Sequence, residues 1–429
     1  MPGGGVMGRG TRLAGSGLAA VLLLGLAACG GGGTGRAEGA ITVWDYYGGS
    51  TPIKPVIAAF ERANPKIKVK YEAYDYDTMR EKYATAVSAR TAPDLATLDM
   101  TWISTYAAGG TLADLSKLSG GKINGEPVEG QYARGALAAM KYKGRYVTAL
   151  YDFDAYALYY RRDIFKKNGI AVPGNWEQFK AAVAKLAATA PSPGKQRFQV
   201  LPDTFHFAQF LFQGGGEILN GSGKSAFAGP AGIGALTFYR DLLKSGGVYW
   251  GEDQGDTSGM PGIKDGRIAM FLNGPYMMGV LKDGAPEQKG KWAVVPAPVG
   301  VQQGSYLGGT GLSIPVTSKH KAAAWKFAQF LLRPEQQLLV AKQAGAAPAT
   351  TAALNRPELT APDPYFGGDA PFKVFLAAMT TARPFPYVKN WTDVDKAISD
   401  GVTAALLGKK APDRALGDAA REVDGLREG

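Results

Sequence analysis

The chain of 429 residues holds a single cysteine, Cys29, and two histidines, His206 and His320. One thiol cannot close a disulfide within the chain, and so few ligands cannot assemble a zinc–thiolate or multi-histidine metal site. Neither a metal nor a cofactor is expected. Lysines and arginines are spread without a dense run, so the formal charge of +11 reads as a solvated surface and not as a nucleic-acid footprint. No G-x-S-x-G nucleophile elbow occurs. Gly221-Ser-Gly-Lys-Ser225 imitates a phosphate loop, but Ile218 stands where its first glycine is required. There is no internal repeat, and no apolar run reaches membrane-spanning length.

What is present begins with a leader. Arg9 and Arg12 precede the apolar core that starts at Leu18, too short to span about 30 Å of hydrocarbon but suited to a signal peptide over residues 1–28. It ends in Leu26-Ala-Ala-Cys29-Gly30, which resembles the lipobox of bacterial lipoproteins. That resemblance implies an acylated Cys29 held at the membrane, with glycine-rich residues 29–39 as a flexible tether and the body outside the cytoplasmic membrane. The length of that body predicts about two to three domains.

The organising stretch is Tyr146 to Tyr160, aromatic and apolar, free of proline and glycine, with Asp152 and Asp154 in its middle. At roughly 3.3 Å per residue it would run about 50 Å, against about 17–20 Å for an ordinary strand. Two strands in two bodies, joined at the acidic middle, are the economical reading, and that makes a hinge. Asp152 and Asp154 then project to one side, where clefts form. The alternative is that the acids only cap or kink a strand end.

Before this stretch, Ile41 to Trp44 reads as a strand, Ile53, Val56, Ile57 and Phe60 as one helix face, Ile67 to Tyr71 as a half-wet strand, and Pro93 to Leu98 as a third strand before a helix containing Trp102. Strand–helix alternation predicts a mainly parallel sheet, with ligands at the carboxyl ends of its strands near Tyr47, Asp99, Thr101 and Trp102. After it come helical runs from Asn175 and Asp203, a buried strand at Ile268–Leu272 leading to Tyr276, a glycine turn at Gly308–Gly311, and last helices from Trp391 and Pro412. Ser318 is expected to cap the helix that carries Trp325.

Ile41-Thr-Val-Trp44, Pro93-Asp94 with Tyr106 to Leu115, Leu158 to Phe165, Ala269 to Tyr276, and Gly308 to Pro315 with the Trp325 helix occur in order. Together they resemble the extracellular solute-binding proteins of ATP-binding-cassette sugar importers, of the maltose and trehalose type. The resemblance implies a two-lobed α/β periplasmic-binding-protein-like fold (type II) with three chain crossings near 149–154, 306–312 and 345–351. It implies an N-terminal lobe of 40–151 and 312–347 and a C-terminal lobe of 152–311 and 348–429. It also implies a monomeric, non-enzymatic receptor that delivers a mono- or oligosaccharide to permease subunits. Residue by residue it points to Asp154 as the sugar-binding carboxylate, Tyr276 as the stacking ring, Asp203 and Phe205 in the second lobe, and Thr101 and Trp102 in the first. Where maltodextrin binders often carry charge after the first strand, this chain has Tyr47-Gly48-Gly49, so the sugar need not be maltose.

These residue types suit a saccharide. A carboxylate accepts from adjacent hydroxyls through strong charge-assisted bonds, and an aromatic ring covers a C–H face at little entropic cost. Trp102 and Trp391 are balanced between ligand wall and core, Trp250 leans to the site, and Tyr306 and Gly309 are candidate contacts beside the second crossing. Two rival readings stay open: a secreted glycoside hydrolase, since paired carboxylates also serve hydrolysis, and the same fold with a polyamine, metal or phosphorylated cargo.

Overall fold

The computed structural model describes residues 37–48, 53–250, 259–386 and 388–428, so Cys29 and the leader lie outside the described residues. Period-two burial builds β1 (Gly39–Asp45), with Ile41, Val43 and Asp45 inward, and β2 (Ile67–Ala73) runs parallel beside it. Helices α1 (Lys54–Ala63) and α2 (Tyr76–Ser88) follow their strands; Asp75 begins the second by accepting from the backbone N–H of Thr78. β3 (Leu95–Asp99) is buried throughout and runs into α3 (Met100–Ala108).

The aromatic stretch is divided between β4 (Ala149–Asp154) and β5 (Ala157–Arg161). The second sheet also contains β6 (Arg197–Val200), β7 (Val248–Trp250), β8 (Ile268–Asn273) and β9 (Trp292–Val295). Its order is β7-β6-β8-β5-β9. The chain then returns through β10 (Ser305–Ser313), and β11 (Ala347–Pro348) and β12 (Ala382–Pro384) follow. The first sheet has the order β11-β4-β10-β3-β1-β2, with β12 paired to β10.

Contrary to the expectation of a mainly parallel first sheet, β10 lies antiparallel between β3 and β4. A strand arriving from the other lobe is free of the helical crossover that makes local strand neighbours parallel. Each sheet has its own apolar clusters: Ile41, Phe60, Leu150 and Phe327 in the first, Phe198, Phe207, Leu272 and Val402 in the second. The fold is therefore two-lobed and α/β. Helix α4 (Thr204–Gln213) follows β6, and α5 (Met277–Gly284) follows β8. Helix α6 (Lys321–Leu331) is capped by no side chain; Ser318 instead donates to Asp94 and accepts from the N–H of His320. Helix α7 (Pro334–Ala344) sends Val340 and Ala344 into the first-lobe core and Leu338 and Ala341 into a second-lobe cluster. Helix α8 (Trp391–Leu406) packs in the second lobe and also against α3 of the first.

Candidate ligand-binding site

The first lobe's contribution starts at the carboxyl end of β1. Buried Asp45 accepts from the hydroxyls of Tyr71 (2.6 Å) and Thr97 (2.9 Å) and from the N–H of Tyr47 (3.2 Å), which fixes the turn behind it. Burial raises its carboxyl against the pull of those bonds. The turn presents two half-buried rings, Tyr46 and Tyr47, stacked at 5.2 Å with 12° between their planes. Tyr46 also meets Tyr76 edge-on at 5.5 Å and Trp102 at 5.6 Å. Its hydroxyl bonds Thr310 of β10, and that of Tyr47 donates to Asp152 of β4. The aromatic wall is thus tied to the hinge strands.

Asp152 and Asp154 share one face of β4, opposite Thr310 and Gly308 of β10. Burial pushes Asp152 up to about 7, opposed by the hydrogen bond from Tyr47. Asp154 is half-buried, and desolvation followed by the charges of Asp152 and Asp99 holds it well above the usual carboxylate range. At the end of β3, Asp99 accepts from the N–H of Thr101 at 2.8 Å and from its hydroxyl; burial pushes it up to about 6. Each shift has desolvation as its main cause, the signature of acids gathered in a place with little water.

From the second lobe, a Cβ on Gly274 would lie 3.0 Å from Oδ1 of Asp154 and 3.1 Å from the ring of Tyr276. The carboxylate and the ring therefore flank one glycine. Asp203 begins α4, accepting from the N–H of His206 at 2.7 Å and meeting its Nδ1 at 2.9 Å. Tyr156 stands edge-on to Tyr306 at 4.7 Å, and Phe205 packs on Tyr306 at 5.4 Å. Asp395 of α8 is pushed up to about 6 by burial, and its charge reaches Asp99 across the lobes.

The structure brings together Tyr47, Asp99, Thr101, Trp102, Asp152 and Asp154, with Asp203, Phe205 and Tyr276 on the facing lobe. Thr101 and Trp102 are 3 % and 4 % exposed, so Asp99 and the rings of Tyr46 and Tyr76 cover them. Trp250 ends β7 beside Val200, at the strand edge that leads to Asp203. Trp391 is a core group, 1 % exposed and packed on Phe385 at 4.9 Å. Gly309 serves packing, since a Cβ there would stand 2.3 Å from the carbonyl oxygen of Asp152.

Tyr46, Tyr156, Thr310 and Asp395 were not among the sequence candidates. The rule that ligands gather at strand carboxyl ends reaches Tyr46 as readily as its neighbour. Asp395 carries no local signal, because α8 is brought beside α4 by the hydroxyl of Thr204 bonding the Asp395 carbonyl, 191 positions away.

Comparison with known proteins gives this geometry a context. The model of the family described as "Bacterial extracellular solute-binding protein" matches residues 46–338. A protein of Brucella abortus described as a binding protein is 27% identical over 392 residues, covering 90% of this chain and 92% of that one. The structure of maltose-bound MalE3 of T. maritima superimposes with a TM-score of 0.76 at 28% identity, covering 90% of this chain and 99% of that chain. The GacH receptor of Streptomyces glaucescens, solved unliganded and with acarbose, superimposes with a TM-score of 0.81 at 24% identity, covering 92% and 98%. Its likeness is one of fold.

Proposed function

Since the chain belongs to the bacterial extracellular solute-binding proteins, a family of binding proteins placed outside the cytoplasm, we propose that it is a receptor that captures a mono- or oligosaccharide and passes it to an ATP-driven importer. The reading rests on one observation: acids of the hinge strand meet half-buried rings from both lobes, with Asp154 and Tyr276 on either side of Gly274. Hydroxyl pairs suit the carboxylates, and C–H faces suit the rings. Relatives of the fold are solved with maltose and with acarbose.

In this proposal Asp154 and Asp152 accept from sugar hydroxyls, and Tyr47 and Tyr276 stack. Asp99 holds the start of α3 through Thr101, and Asp203 and Phe205 hold the facing wall. Contacts made only when the lobes are shut shift the population to the closed form, the surface the permease subunits recognise. Acylated Cys29 anchors a monomer to the membrane, with the residues between it and β1 as its tether; Gly39, expected in that tether, is the first residue of β1.

A thermal-shift screen against a saccharide panel tests the reading. A ligand at about a hundred times its dissociation constant adds roughly 2.7 kcal/mol to stability, and the sugar should be recovered intact. A panel in which nothing shifts the melting point would remove the saccharide assignment.

A further inference from the structure

Asp203 starts α4 by accepting the N–H of His206 at 2.7 Å, and one such bond is what a helix start asks of its cap. The ring of His206 adds more than that. Its Nδ1 meets both oxygens of the Asp203 carboxylate, at 2.9 and 3.0 Å, and its Nε2 meets the carbonyl oxygen of Leu272 at 3.1 Å. Both neighbours are acceptors, so the imidazole is the donor between them. Leu272 lies in β8, two positions before Gly274, the residue flanked by Asp154 and Tyr276. One side chain therefore joins the two stretches, 203–206 and 272–276, that make the second lobe's side of the site.

Burial separates the roles of the pair. The side chain of His206 is 4 % exposed and that of Asp203 30 % exposed, so the ring lies behind the carboxylate and the carboxylate keeps an open side. An ionised carboxyl offers about four lone-pair positions, and the N–H and the ring of His206 fill the inner ones. The ring also stands 5.0 Å from that of Tyr156, among apolar and aromatic groups where a leucine or phenylalanine would fill the volume without taking two nitrogens out of water. That cost is offset by fixing the carboxylate. An acceptor already held in its bound orientation loses less rotamer freedom when a partner arrives.

We propose that His206 is a positioning residue for saccharide capture: without meeting the cargo, it turns the open side of Asp203 towards a sugar hydroxyl and keeps the β8 end that leads to Tyr276 aligned with it. This rests on the saccharide reading above and adds to it a residue beneath the wall. His206 acts through Asp203, so its influence on affinity disappears once that carboxylate is gone.

The test is a double-mutant cycle read by isothermal titration calorimetry on the full mature chain. The probe is whichever of glucose, galactose, maltose, trehalose, cellobiose and chitobiose raises the melting temperature most. In His206→Asn the amide nitrogen reaches as far as Nδ1 and keeps the bond to Asp203; in His206→Gln it reaches as far as Nε2 and keeps only the bond to Leu272. His206→Gln should weaken the probe about tenfold, as loss of one bond to a charged group implies, and His206→Asn should restore most of that loss. Added to Asp203→Ala, His206→Gln should weaken it no further. Unchanged affinity in His206→Gln, equal losses in the two variants, or losses that add in the double variant would assign the ring to packing, overturning the inference and leaving the saccharide receptor standing. If His206→Gln does not fold, His320→Gln leaves His206 as the one histidine, and long-range proton–nitrogen correlation should show a proton on its Nδ1; a bare Nδ1 would overturn the inference. A panel with no binder would overturn the saccharide reading and this inference with it.

Discussion

Gly309 is at φ +141°, a conformation that side chains rarely adopt, and its missing Cβ leaves room for the carbonyl of Asp152. Gly309→Ala should destabilise the protein by about 2 kcal/mol or more, read as a lower urea midpoint with unchanged slope. A single glycine, free to take this φ because it has no Cβ, thereby lets β10 approach β4 closely. Asp154→Ala should weaken saccharide binding by about 2 kcal/mol or more while leaving circular dichroism unchanged; unaltered calorimetric affinity would argue against the carboxylate's role. At this scale the sequence was informative where chemistry is local. The paired acids and Tyr276 after Asn273-Gly-Pro stood out as polar or aromatic residues at strand ends. It was silent on Trp391 because an indole reads alike in a core and on a wall, and only packing on Phe385 separates the two.

Among the elements, the aromatic stretch divides into β4 and β5 as its excessive length required, but the joint lies at Ala155 and Tyr156, after both acids. Asp152 pairs with Thr310 and Asp154 with Gly308 in the ladder, so they end a strand of the first sheet. Gln337, buried in α7, donates to the carbonyl of Tyr151 at 2.6 Å and accepts from the hydroxyl of Thr350. This one amide ties the neighbouring hinge segments together. Gln337→Leu removes both bonds, leaving the Thr350 hydroxyl without its acceptor and the Tyr151 carbonyl with only the N–H of Ala349, and should cost about 1–3 kcal/mol, visible by scanning calorimetry. Periodicity gave the first helix well, since α1 buries Val56 and Phe60 as its spacing required. It could not give the direction of β10, because register between segments far apart in the chain is set by tertiary contacts and leaves no trace in local pattern.

For the whole molecule, burying several acids near one another makes stability depend on pH. Asp99, Asp152 and Asp395 lie at about 6, 7 and 6 in the folded chain, above the ordinary carboxylate value, so between pH 4 and 7 the native state binds more protons than the unfolded one. Stability from these groups is therefore greatest below pH 4 to 5 and is lost as pH rises through 6 to 7. Without ligand, Asp152→Asn should raise the melting temperature at pH 8 by about 2 °C or more and have little effect at pH 5. An equal gain at both values would mean that the acid is not strained by charge. The two-lobed architecture was legible because strand–helix alternation is interrupted at the hinge stretch. The acid cluster was not, because its members lie on segments scattered from Asp99 to Asp395 and only the tertiary fold adds their charges together.

Helix α7 belongs to both interiors at once, with Val340 and Ala344 seated in one and Leu338 and Ala341 in the other. The two interiors are thus joined by one helix, and its small alanines set how closely each half packs on it. Ala341→Leu should crowd the packing it serves and, because the helix is shared, lower the urea midpoint of the whole chain.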